Sequence, residues 1–216
     1  MISKRLQVKS LKVILKDFES IIRGWDKNWR LWLLDGNNLK KKTDKIPIEW
    51  WWEFRMRYRE SWWNWLLCAT LSYTTWMDVT FADDEKLDWI ILDKKTGTHI
   101  ITEHVAALEF PKWIKLPKWE ARIISAIEHK IRKWPDYAKW KCLVVFFDWA
   151  WEIFINRVGK AISGKHSFLS IFCLWLCEWN DQWYTYSVSQ LWDLHSPTYL
   201  VHINSDFTDW KVDRYQ

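Results

Sequence analysis

Leu87-Asp88-Trp89-Ile90-Ile91-Leu92-Asp93-Lys94-Lys95-Thr96-Gly97-Thr98-His99-Ile100-Ile101-Thr102-Glu103-His104-Val105 carries the clearest strand signal in this 216-residue chain. Residues 87–92 read as one apolar strand. Residues 93–97 combine an Asp, two Lys and a Gly, the chemistry of a tight turn, and 98–105 return as a second strand. If 94–97 form a four-residue loop, Asp93 faces Thr98, and cross-strand partners have numbers adding to 191. Asp88 then stands opposite Glu103 on one sheet face, with Cα atoms about 4.5–5.5 Å apart. Two carboxylates that close repel unless a proton or a cation lies between them. A hard divalent ion such as Mg²⁺, or Mn²⁺, is a common resolution, because it needs only one or two carboxylates and keeps several waters. Such an ion activates water and stabilises charge on a phosphoryl oxygen.

The rest of the chain arranges itself around this ribbon. Upstream, a helix is expected over 53–73 and a short strand over 78–82. Downstream, Ile123, Ile124, Ile127 and Ile131 mark one face of a helix over 120–133. Cys142-Leu143-Val144-Val145-Phe146-Phe147 is a continuous apolar run, as in a central strand buried on both faces. A short helix over 158–162 and strands over 168–176, 184–188 and 199–203 complete the reading. Residues 1–45 read as an N-terminal helical extension and a polar linker, and 46–216 as a single domain. The order α-β-β-β-α-β places the domain in the α/β (α+β) class, with a mixed central sheet flanked by helices.

At this point the chain resembles the PD-(D/E)XK nuclease superfamily over about residues 53–147. The resemblance rests on the acid-bearing helix, on Leu87-Asp88 opening a strand, on Thr102-Glu103-His104-Val105 in its hairpin partner, and on the helix and strand that follow. It implies a restriction-endonuclease-like core and metal-assisted cleavage of phosphodiester bonds. Asp88 and Glu103 would be the metal ligands and Glu60 a third acid. Two positions depart from the family pattern. Leu87 replaces the Pro before the Asp, and Val105 replaces the Lys two residues after the Glu. Some members carry that Lys on the next helix, where Lys130 or Lys133 could position water or stabilise developing charge.

Charge points to the same class of partner. The chain carries 32 Lys and Arg against 27 Asp and Glu, a net charge of +5. Residues 112–141 alone hold nine basic and three acidic side chains, so this stretch accounts for the whole excess. Lys112, Lys115, Lys118, Lys130, Arg132, Lys133, Lys139 and Lys141 are the expected contacts to nucleic-acid phosphates. A solvated helix face gives the same pattern. The alternative to a Mg²⁺-dependent endonuclease is a non-catalytic interaction protein on this fold, binding a partner through its sheet edge or C-terminal strands, and Val105 in the Lys position favours it. His99 shares the Asp88/Glu103 face in the expected register and is a candidate to touch a metal or a plain surface residue.

Other chemistries lack residues. There is no P-loop or dinucleotide-binding Gly pattern, and no Ser or Cys nucleophile has partners that spacing can identify. No run approaches the roughly 18 apolar residues of a membrane span. The N-terminus lacks the apolar core of a secretory signal. Cys68, Cys142, Cys173 and Cys177 form no CxxC pair, which suits buried thiols in a reducing cytoplasm.

Tryptophan usage is anomalous. The chain has 22 Trp and 5 Gly, where average usage gives roughly fifteen Gly for this length. Many Trp stand where turn chemistry calls for glycine: Asp148-Trp149-Ala150-Trp151-Glu152, Glu178-Trp179-Asn180-Asp181-Gln182-Trp183, Lys133-Trp134-Pro135, Lys118-Trp119-Glu120 and Lys139-Trp140-Lys141. One mechanism covers the set: UGA codons that a bacterial lineage reads as glycine, translated as tryptophan. Trp149, Trp151, Trp179 and Trp183 are then expected in exposed turns, some at φ > 0. Genuine Trp would instead suit a sugar-stacking surface.

Overall fold

The computed structural model describes residues 10–19, 22, 48–83, 89–107, 120–133, 135–147 and 153–216, with backbone alone for 48–58. In chain order the elements are α1 (residues 11–19), α2 (Ile48–Thr75), β1 (Val79–Asp83), β2 (Trp89–Asp93), β3 (His99–Ala106), α3 (Glu120–Ile131), α4 (Pro135–Ala138), β4 (Lys141–Phe146), α5 (Ile155–Ile162), β5 (Ser170–Trp179), β6 (Trp183–Gln190), β7 (Thr198–Asn204) and β8 (Trp210–Arg214).

The strands form one eight-stranded mixed sheet in sequence order. The β1–β2 and β2–β3 pairs are antiparallel, the β3–β4 and β4–β5 pairs are parallel, and each pair from β5 to β8 is antiparallel again. The two parallel steps are made by helical crossovers, α3 with α4 between β3 and β4, and α5 between β4 and β5, because a parallel return needs a long connection.

β4 shows why the sheet is central. Cys142 and Val144 join the core beneath α1 and α2, whereas Leu143, Val145 and Phe147 join a second core beneath α3 and α5. Alternation along a strand sends successive side chains to opposite faces, so an unbroken apolar run requires cover on both. Within the second layer α5 packs tightly: a Cβ on Gly159 would come within 2.6 Å of the Trp192 carbonyl oxygen.

α1 is part of the domain and not an appended extension. Leu11, Leu15, Phe18 and Ile22 are buried in the first core, and Trp65 Nε1 donates to the Leu11 carbonyl at 2.9 Å. α2 supplies that core with Trp62, Trp63 and Trp65. Trp62 stacks on Trp65 at 5.2 Å, and Trp63 stacks on Phe146 at 4.9 Å.

Other expectations are refined. α5 begins three residues earlier than 158, and β8 was not anticipated. Cys68, Cys142 and Cys173 are buried free thiols and Cys177 is half-buried. Among the described residues no helix is long and apolar enough to cross a membrane.

The tryptophan anomaly divides. Trp76 (φ 57°) and Trp140 (φ 67°) adopt left-handed backbone and are 86% and 75% exposed. Trp76 directly follows the last residue of α2, the position where helices most often end on a left-handed glycine. Trp179 and Trp183 depart from expectation. They are half-buried strand ends without positive φ. Asn180 makes this turn instead, its Oδ1 accepting from the Gln182 and Trp183 amides at 2.9 and 2.8 Å, so no left-handed residue is needed. Trp119, Trp134, Trp149 and Trp151 lie outside the described residues.

Candidate active site

The β2–β3 ribbon holds the candidate site, and its turn explains its register. Asp93 Oδ1 accepts from the Lys95 amide at 3.0 Å, and its Oδ2 accepts from Thr96 Oγ1 at 2.7 Å. These bonds hold the Asp93 carboxyl below its ordinary range. Gly97 takes φ 71°, and the Asp93 amide donates to the Thr98 carbonyl at 2.9 Å. The strands then pair Leu92 with His99, Ile91 with Ile100, Ile90 with Ile101 and Trp89 with Thr102. This is the register read from the sequence. Asp88, the next residue of the run, lies outside the described residues, as do Lys112, Lys115 and Lys118.

Alternation along β3 sends its side chains to two different environments. Thr102 and His104 point beneath α2. Asn64 Oδ1 lies 3.0 Å from Thr102 Oγ1 and 3.1 Å from His104 Nε2, and accepts from both. Trp63 packs beside the His104 ring. Burial pushes the His104 pKa down to about 3, so the imidazole is neutral. Glu60 serves this same face: its Oε2 accepts from Trp89 Nε1 at 3.0 Å, and Trp89 pairs with Thr102. The structure therefore puts Glu60 on the side of the sheet away from Glu103.

Glu103 faces α3. Its side chain is 8% exposed, and its Oε1 accepts from Lys130 Nζ in a direct ion pair. Lys141 Nζ lies 4.0 Å from Oε2. Lys141 arrives there because parallel pairing sets it beside Ile101 and Leu143 beside Glu103. Lys141 Nζ also sits 4.2 Å from the centre of the Tyr137 ring. Lys133 Nζ approaches the same ring at 4.6 Å and donates to the Tyr137 hydroxyl at 3.1 Å. A buried carboxylate thus lies at the edge of a cationic cluster built by α3, α4 and β4. Lys139 pairs with Asp136 at 2.6 Å on the surface, and Arg132 is exposed at the end of α3.

Of the residues singled out from the sequence, the structure brings Lys130, Lys141 and Glu103 together. It directs Lys133 to Tyr137. His99 is exposed and shares Glu103's face, but four residues of extended strand separate them by about 13 Å, too far to share one metal ion. Tyr137 and Asn64 were not anticipated. Finding Tyr137 required the parallel β3–β4 pairing, which no local pattern announces. Among the described residues no three His, Cys, Asp or Glu side chains gather as metal ligands. Comparisons with protein-family models, with curated proteins and with solved structures found no match.

Proposed function

We propose that the chain is a nuclease-like domain acting on phosphodiesters of DNA or RNA with Mg²⁺ or Mn²⁺. The observation that carries this reading is the meeting of Lys130 with Glu103 on the α3 face. A nuclease of the PD-(D/E)XK type needs a cation beside its ribbon carboxylate. Val105 cannot supply it, and Lys130 stands where it can. The order of elements from α2 to β4, with β3 and β4 parallel, supports a restriction-endonuclease-like core.

In this reading Glu103 and Asp88 hold the metal. One buried carboxylate, joined by that of the residue preceding β2 in sequence, would suit a hard cation that keeps most of its waters. When bound, that ion supplies a Lewis acid for the phosphoryl oxygen and lowers the pKa of a coordinated water. The chain's own contribution is positioning. Lys130 orients the Glu103 carboxylate and offers its ammonium to charge developing on a non-bridging oxygen. Lys141 and Lys133, held over Tyr137, present a second positive surface to the backbone of the nucleic acid. Arg132, Lys139, Lys112, Lys115 and Lys118 would extend the contact, whose affinity then falls with salt.

A second reading has its own support. The Glu103–Lys130 pair is also what a structural ion bridge looks like. With Val105 in the Lys position, the same fold would serve as a non-catalytic binding module. Metal titration separates the two. Millimolar Mg²⁺ or Mn²⁺ raises the melting temperature of the wild-type chain and leaves a Glu103→Gln variant unchanged if the site takes metal. Identical melting with and without either ion in the wild type favours the binding module.

A further inference from the structure

We propose that β8 is a self-complementary edge through which two copies of this chain join their sheets about a two-fold axis. β8 pairs with β7 on one side, and among the described residues no strand lies on its other side. The Asn204 amide donates to the Asp209 carbonyl at 3.1 Å. In an antiparallel ladder the polar groups of alternate residues point the same way. With the register that pairs Leu200 with Asp213 and His202 with Lys211, the amides and carbonyls of Asp209, Lys211 and Asp213 turn toward β7. Those of Trp210, Val212 and Arg214 turn outward, an open row of donors and acceptors.

The sequence of this row selects its partner. Antiparallel pairing of β8 with a second β8 about Val212 sets Lys211 opposite Asp213 of the other copy, and Asp213 opposite Lys211. Both charge pairs fall at non-hydrogen-bonded positions, where cross-strand side chains come closest. Lys211 and Asp213 already share that face, 3.1 Å apart within the strand, and Asp213 also lies 3.4 Å from His202 Nε2. Joining two copies converts these into an alternating ring of charges. On the opposite face the same register sets Arg214 beside Trp210, a cation over an indole, and Val212 beside Val212. Trp210 is held ready by its edge contact with Trp65 at 5.2 Å. The other edge of the sheet lacks this property. β1 reads Val-Thr-Phe-Ala-Asp, and self-pairing about Phe81 leaves Asp83 opposite Val79 with no counter-charge.

Sedimentation equilibrium of the full chain over a micromolar concentration series tests the proposal. The wild type gives a reversible monomer–dimer equilibrium. Val212→Pro removes an outward amide and no bond to β7, so it gives a folded monomer. Lys211→Asp and Asp213→Lys each set like charges opposite one another and weaken the dimer by about tenfold, whereas the double exchange K211D/D213K recovers it. Recovery by the double exchange stands even if the proline variant fails to fold. A wild type that stays monomeric, or charge variants that dimerise as the wild type does, overturns the proposal.

Discussion

Lys130 and Glu103 are 27 positions apart in the chain and share a direct ion pair on the α3 face of the sheet. Both side chains are largely buried, at 13% and 8% exposure. Taking two charges out of water is costly, and the cost is offset only while both remain. Lys130→Met therefore lowers stability by about 3 kcal/mol in urea unfolding, since it leaves a buried carboxylate with the more distant Lys141. Loss within about 0.5 kcal/mol would mean that the pair carries little of the local energetics.

Trp76 and Trp140 sit in a backbone region that costs an L-residue roughly 1–2 kcal/mol. Glycine removes that cost but gives the unfolded chain more conformational entropy, which offsets part of the gain. Trp76→Gly and Trp140→Gly are each expected to raise stability by about 1 kcal/mol, read as a higher urea midpoint with an unchanged slope. Trp65→Gly, by contrast, empties a core position and costs at least about 3 kcal/mol. The codons offer an independent check: UGA at 76 and 140 fits a glycine origin, and UGG at both would contradict it.

His104 makes stability pH-dependent. Its pKa falls from 6.5 to about 3 on folding, because burial disfavours the charged ring. Between those values the unfolded chain binds a proton that the folded chain does not, so stability declines as pH falls. The slope fades as pH rises through 6.5 and vanishes well above it, where the ring is neutral in both states. Across pH 5–6, wild type is expected to lose about 1.4 kcal/mol per pH unit more than His104→Gln. Equal slopes for the two proteins would show that His104 is already protonated in the folded state.

The hairpin was legible because its information is local. Asp93 and Thr96 close the turn, Gly97 accepts the left-handed step, and a period of two carries the register outward from there. β4 was legible for the same reason, as an apolar run too even for a half-exposed strand. β8 was not, because Trp-Lys-Val-Asp-Arg has the composition of a solvated loop and becomes a strand only by pairing with β7. Lys141 was recognised as part of a basic stretch, but its place beside Glu103 follows from parallel pairing across a helical crossover. Glu60 misled because a helical acid near a ribbon has two faces to choose from, and Trp89 draws it to the one away from Glu103.

We propose Glu103, Asp88 and Lys130 as a metal-dependent phosphodiesterase centre. The most direct measurement is cleavage of DNA and RNA oligonucleotides in Mg²⁺ or Mn²⁺ by the chain carrying glycine at 76 and 140, against the same chain with Asp88→Ala and Glu103→Ala. Metal-dependent cleavage that disappears in the double variant, and falls about 100-fold or more in Lys130→Met, is the expected result. Cleavage that persists undiminished in the double variant, or no cleavage by the parent with either metal, would contradict it.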